Sequence, residues 1–141
     1  MNIEKKAYGV GDRSYQAAGG LSGLINLVDA FYGYMDVLPE AKAIRVMHRS
    51  DLTESSLKLA YFLSGWLGGP RLYSEHFGSI AIPKAHRHLR IGHEEADSWM
   101  LCMEKAVEEQ PYNEEFKTYL IKQLRVPAER ILMVCDQNSG N

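Results

Sequence analysis

At 141 residues, with 45% hydrophobic and 24% charged residues, the chain has the make-up of one globular domain able to bury a core and an apolar ligand. A formal charge of −2 and a pI near 6.2 exclude a general attraction to nucleic acid or to anionic membrane. The longest apolar runs are too short to cross a bilayer, and two cysteines, Cys102 and Cys135, form neither a disulfide framework nor a CxxC pair.

Residues 1–13 read as a loose polar extension, and Met1-Asn2-Ile3-Glu4-Lys5-Lys6 lacks the apolar core of a signal peptide, so a cytoplasmic location is expected. A short helix is predicted from near Ser14 to Gly19-Gly20, where paired glycines end it and permit a sharp turn. From about Leu21 to Leu38, the residues Leu21, Leu24, Ile25, Val28, Phe31 and Tyr32 fall on one face at helical spacing. Pro39 breaks that pattern, and a short helix is expected from Ala41 to Val46. Asp51 reads as the N-cap of the next long helix, with Glu54 completing a capping box. Its face carries Leu52, Ser55, Leu59, Phe62, Leu63 and Trp66, and Gly68-Gly69-Pro70 closes it. Between Arg71 and Arg90 the pattern is irregular, with short or loose helix at best. Glu94 to Val107 is predicted helical, with Trp99, Met103 and Ala106 in line. An amphipathic helix follows from about Asn113 to Val134, interrupted or bent near Pro127, and residues 136–141 read as a disordered tail. Both cysteines sit in apolar helical patterns, as buried free thiols do. No segment reads as a strand, so the class is all-α.

The segment Pro83-Lys84-Ala85-His86-Arg87-His88-Leu89-Arg90-Ile91-Gly92 places two histidines among basic residues just before a helix. An imidazole ligates iron when one nitrogen is neutral and faces the metal while the other is fixed by a hydrogen bond. A solvated surface histidine is the simpler reading of the segment alone, and His86 and His88 are equivalent on that evidence. HxH spacing lacks the third carboxylate or thiolate ligand of a zinc site. There is no Walker loop, GxGxxG or HExxH. Tyr32 and Trp99 bring a hydroxyl and an indole N–H to positions where the periodicity predicts burial, and such groups normally find a partner.

Taken together these residues resemble a truncated haemoglobin of group II, the globin O-like branch. Gly19-Gly20 and Gly68-Gly69 match the family's two glycine pairs, and Phe31-Tyr32 its distal aromatic pair. Phe62-Leu63-Ser64-Gly65-Trp66-Leu67-Gly68-Gly69-Pro70 is similar to the end of its central helix. His86 falls on the proximal histidine, with Ile91-Gly92 at the expected distance, where His88 would be two residues out of register. Ala96-Asp97-Ser98-Trp99-Met100-Leu101-Cys102-Met103 matches the tryptophan-bearing helix of group II. The similarity covers about Ser14 to Val107.

The resemblance implies a two-over-two α-helical sandwich around haem b, with the whole chain, residues 1–141, as one globin domain of bacterial type. It implies His86 as the metal ligand, Tyr32 and Trp99 as distal donors to bound dioxygen, and Phe31 beside them. His48 matches a variable distal position, and His48 or a Tyr32 phenolate is a candidate sixth ligand to ferric iron. Ser55 takes the place of the distal histidine of ordinary globins, Leu59 packs over the distal cavity, and Phe62 and Ile91 are core residues near the porphyrin. Lys58, Tyr73 and Arg90 are candidates for the haem propionates. Two positions depart from the family pattern, Ala85 in place of arginine and Leu89 in place of an aromatic residue. The implied ligands are dioxygen, nitric oxide, carbon monoxide or peroxide, with an unidentified reductase as electron donor and a monomer or weak dimer as the assembly. Oxygen binding or transport is expected, with nitric oxide dioxygenase or peroxidase-type chemistry at the same site. The alternative is an oxygen or redox sensor without turnover that acts through a partner.

Overall fold

The computed structural model describes residues 8–48, 50–78 and 93–139, with side chains as far as Ala128. Within these residues every regular element is helical: α1 (Arg13–Ala17), α2 (Gly20–Val37), a 3-10 turn (Pro39–Ala41), α3 (Lys42–Arg45), α4 (Thr53–Trp66), α5 (Leu72–Phe77), α6 (His93–Glu108) and α7 (Glu114–Ser139). The expected all-α class holds. None of these helices is long and apolar enough to cross a membrane.

Helix α2 is the centre of the fold, packing against both α4 and α6, while α6 packs in turn on α7. The buried face of α2 is Leu24, Leu27, Val28, Phe31, Tyr32 and Met35. Ile25, placed on that face by the sequence reading, is 41% exposed, and Leu27 takes its place. One residue advances a helix by about 100°, so a stripe centred on Leu24, Val28, Phe31 and Met35 turns Ile25 away. The opposing surfaces are Ala60, Leu63 and Leu67 at α4, Met100, Met103, Ala106 and Val107 on α6, and Phe116, Leu120 and Leu124 on α7. Full burial of each large side chain contributes about 1.5–3 kcal/mol.

The α4 boundaries follow from side-chain hydrogen bonds. Asp51 Oδ1 accepts from the Thr53 amide at 3.0 Å and from the Thr53 hydroxyl at 2.6 Å, so it terminates the helix from one residue outside the N-cap, which is Leu52. The expected capping box is therefore out of register by one, and Glu54 forms an i,i+4 ion pair with Lys58 at 2.9 Å. At the other end the buried Ser64 hydroxyl donates to the Pro70 carbonyl at 2.7 Å and the Gly69 amide to the Ser64 carbonyl at 2.8 Å. Gly68 has φ +90°, and a Cβ there would stand 2.0 Å from the Gly11 carbonyl oxygen. The turn thus requires glycine for both conformation and space.

Three further expectations are corrected. Residues 8–12 are held rather than loose: Tyr8 packs its ring 5.2 Å from Phe116 and 5.1 Å from Tyr119, and the Gly9 amide donates to Ser14 Oγ at 2.9 Å. Helix α7 starts after Asn113, whose Oδ1 accepts from the Phe116 amide at 2.8 Å, but it runs through Pro127 without a break. Proline there costs one backbone hydrogen bond, and the packed apolar face of Phe116, Leu120 and Leu124 outweighs it. Residues 136–139, expected to be disordered, continue that helix. The irregular stretch after Arg71 contains α5, and residues 79–92 lie outside the described part.

Candidate functional site

Helices α2 and α6 and the segment after α3 bring four of the predicted residues into one row. Phe31 is fully buried, its ring edge-on to Tyr32 with centroids 4.9 Å apart and edge-on to Trp99 at 5.1 Å. The Tyr32 ring in turn meets the His48 ring edge-to-face at 5.7 Å. The order across the row is His48, Tyr32, Phe31, Trp99. Phe31 therefore acts as a spacer that fixes the donor of α2 relative to the donor of α6. His48 Nδ1 lies 2.9 Å from the Ile44 carbonyl oxygen. That bond assigns the proton of the neutral ring to Nδ1 and leaves the lone pair on Nε2.

Tyr32 and Trp99 share one peculiarity. Neither the phenol hydroxyl nor the indole N–H has a hydrogen-bond partner among the described residues, although Tyr32 is only 8% exposed. Burial pushes the Tyr32 phenol up to about 12, so at neutral pH it is a proton-bearing donor.

Helix α4 supplies a second surface. Its Ala60, Leu63 and Ser64 face the core, while Ser55, Leu59, Phe62 and Trp66 form a half-buried stripe about 120° around the helix. Phe62 stacks on Trp66 with centroids 6.0 Å apart and planes at 27°. Lys58 is paired with Glu54 and also sits over the Phe77 ring at 5.3 Å, and Tyr73 lies 5.2 Å from the same ring. Lys58 and Tyr73, both predicted as propionate contacts, are thus gathered at one aromatic side chain of α5.

His86, Arg90 and Ile91, together with Ala85 and His88, lie outside the described residues, as does the side chain of Cys135. Cys102 is fully buried, and burial pushes its thiol up to about 11, which makes it inert. Among the described residues no three His, Cys, Asp or Glu side chains gather to hold a metal ion.

Two contributors escaped the sequence reading. The Ser98 hydroxyl lies 2.7 Å from the Glu40 carbonyl oxygen and 2.8 Å from that of Glu94, tying α6 to the 3-10 turn next to Trp99. Tyr112 has a buried hydroxyl with no partner among the described residues, and its phenol is also pushed up to about 12 by burial. A hydroxyl reaching a backbone carbonyl far along the chain leaves no periodic trace, so nothing in the sequence marked Ser98.

Residues 13–132 match the family model described as bacterial-like globin. The chain is 35% identical over 109 residues to the group 2 truncated hemoglobin YjbI of Bacillus subtilis, covering 77% of this chain and 80% of that protein. In structure it is similar to the group II 2-on-2 hemoglobin of Agrobacterium tumefaciens, with a TM-score of 0.81, 32% identity, and 93% of this chain and 97% of that one covered. A truncated oxygen-avid haemoglobin from Bacillus subtilis superposes with a TM-score of 0.76 at 34% identity over 84% of this chain and 98% of its own. The match spans both faces of the site, from α1 through Trp99 and into α7, and the chain belongs to the bacterial-like globins, among the group II truncated haemoglobins.

Proposed function

We propose that the protein holds haem b through His86 and binds dioxygen reversibly at the iron, where Tyr32 and Trp99 would donate to the ligand. The observation that carries this is the aromatic row that brings the Tyr32 hydroxyl and the Trp99 indole N–H to either side of Phe31, neither having an acceptor among the described residues. Such groups fit a haem, which needs apolar surface along its rings and donors only where a polar ligand sits. A haem, when bound, supplies an iron that takes a diatomic ligand and exchanges single electrons.

The chain's own residues do the rest. His86, outside the described part, offers the imidazole nitrogen. Tyr32, kept neutral by burial, and Trp99, a donor under all conditions, stabilise negative charge that develops on a ligand between them. Phe31 sets their spacing. Leu59 and Phe62 would pack against the haem from α4, and Ser55, small at the outer end of that stripe, would leave a path inward. Lys58 and Tyr73 lie on the side where propionates would meet solvent. Two donors also suit polarisation of a ligand undergoing reduction, which supports nitric oxide dioxygenase or peroxidase-type chemistry with electrons from a separate reductase. The name of the similar B. subtilis structure, oxygen-avid, agrees with slow release from such a pair of donors.

The test is the visible spectrum of the purified protein, ferric and then reduced, with and without carbon monoxide, beside His86→Ala. A Soret band that moves on reduction and again with carbon monoxide, and is lost in the variant unless imidazole is added, is the expected result. Failure to take up stoichiometric hemin overturns the proposal.

A further inference from the structure

A cleft of about 200 Å³ lies away from the aromatic row, between residues 9–14, the end of α4 and the middle of α7. Ser14, Gly65, Trp66, Gly68, Tyr119 and Gln123 are among its walls, and among the described residues no charged side chain lines it. A cavity on the order of 150 Å³ holds one benzene ring, so the cleft has room for a single substituted ring. Its polar groups suit a neutral hydroxyl-bearing guest. Ser14 is buried, its Oγ accepting from the Gly9 amide, so the Tyr119 hydroxyl and the Gln123 amide are the polar groups for a guest, and Gln123 brings both a donor and an acceptor.

Trp66 belongs to two places at once. It walls this cleft, and it stacks on Phe62 at 6.0 Å within the α4 stripe assigned above to the porphyrin. The chain has two tryptophans, and the other, Trp99, stands on α6 behind Phe31. An easily oxidised indole that links a ligand-sized cleft to the haem side is the geometry of an electron relay.

We propose that the cleft binds a small neutral phenol and that Trp66 carries its electrons to the haem side through the stacked Phe62 ring. The inference rests on the haem reading and on peroxide as the oxidant. Hydrogen peroxide takes up two electrons and two protons and becomes two waters. Two phenols, one after the other, each give up one electron and one proton and leave as phenoxyl radicals. In each cycle Trp66 loses one electron towards the haem and regains one from the phenol, while the phenolic proton passes to solvent. Phe62 stays unoxidised and serves as the bridge.

The test uses the haem-loaded protein with hydrogen peroxide, guaiacol as the phenol, and a nitroso spin trap located by peptide mass spectrometry. Without guaiacol, the trap is expected on the peptide that carries Trp66, and guaiacol should suppress that adduct. In Trp66→Phe, which preserves the stack, the adduct should vanish and guaiacol oxidation should fall roughly tenfold, the equivalent of one decade in rate. Trp66→Tyr, oxidisable again, should restore part of it. The carbon monoxide spectrum of each variant shows whether the haem site is intact. Adducts confined to tyrosines in the unaltered protein, or guaiacol oxidation in Trp66→Phe at the unaltered rate, would overturn the relay. A protein that takes no hemin, or whose Soret band ignores peroxide, overturns the underlying reading as well, and so the two failures are told apart.

Discussion

The Tyr32 and His48 rings meet edge-to-face at 5.7 Å, and His48 is itself tethered through Nδ1 to the Ile44 carbonyl oxygen. The phenol is thus braced from both sides, by Phe31 on α2 and by a histidine anchored to α3. His48 acts here as a buttress. His48→Ala should quicken dioxygen release about two- to threefold through a looser Tyr32, a loss of well under 1 kcal/mol, and leave the ferric spectrum unchanged from neutral to alkaline pH. Disappearance of a low-spin ferric signal in the variant would instead make His48 a sixth ligand.

Removing a donor directly should cost more. Tyr32→Phe keeps the ring contacts with Phe31 and His48 while deleting the hydroxyl, and one such bond in a water-poor site contributes about 1–3 kcal/mol. Dioxygen release measured after flash photolysis or by stopped flow should rise roughly 5- to 100-fold. Because Tyr32 and Trp99 are coupled through Phe31, Tyr32→Phe combined with Trp99→Phe should depart from the product of the single effects.

Alkaline pH should destabilise the fold. Burial raises the Tyr32 and Tyr112 phenols from 10.0 to about 12, so between those values the folded chain holds protons that the unfolded chain has released. The contribution of these two phenols is therefore full below pH 10 and is lost as pH rises towards 12, by about 2 kcal/mol for each group, on top of a further loss from pH 9 through the raised Cys102 thiol. Urea titrations at pH 9, 10 and 11 measure the slope, and Tyr112→Phe should flatten it. An unchanged slope in that variant would mean that Tyr112 titrates normally.

Two glycines should respond oppositely to the same substitution. Gly68→Ala places a methyl group against the Gly11 carbonyl oxygen at φ +90°, and should lower stability by about 2 kcal/mol or more. Gly33, inside α2, has open space where its Cβ would be, so Gly33→Ala should raise stability by about 0.5–1 kcal/mol. Thermal melts of the two variants should shift in opposite directions.

Phe31→Ala should cost about 3–5 kcal/mol, since the ring is fully buried and its loss leaves a cavity between α2 and α6, beside Tyr32 and Trp99. Denaturant unfolding checks the magnitude. A change below 1 kcal/mol would mean that the site collapses freely around the missing ring.

Most helices were legible because their signals are local and periodic. The apolar repeat marked α2, α4 and α6, and Gly19-Gly20 and Gly68-Gly69-Pro70 marked turns whose conformation only glycine and proline make easily. The pairing of Tyr32 with Trp99 came from resemblance, since residues 67 positions apart share no local pattern. What escaped was set by contacts between distant segments. Tyr8 is held by Phe116 and Tyr119 across the molecule, and α7 passes Pro127 because its packed face outweighs one lost hydrogen bond. Asp51 caps α4 from one position further out than its residue type suggested, a one-residue difference that helix-end preferences do not resolve.

The Ser98 contact gives the molecule an external adjustment. Its hydroxyl joins α6 to the carbonyl of Glu40, and so the helix that carries Trp99 and the segment that leads to His48 share one fastening at the protein's periphery. Descendants of this sequence could shift Trp99 relative to His48 by changing position 98, whose hydroxyl meets only backbone carbonyls among the described residues, and leave every residue of the aromatic row as it is.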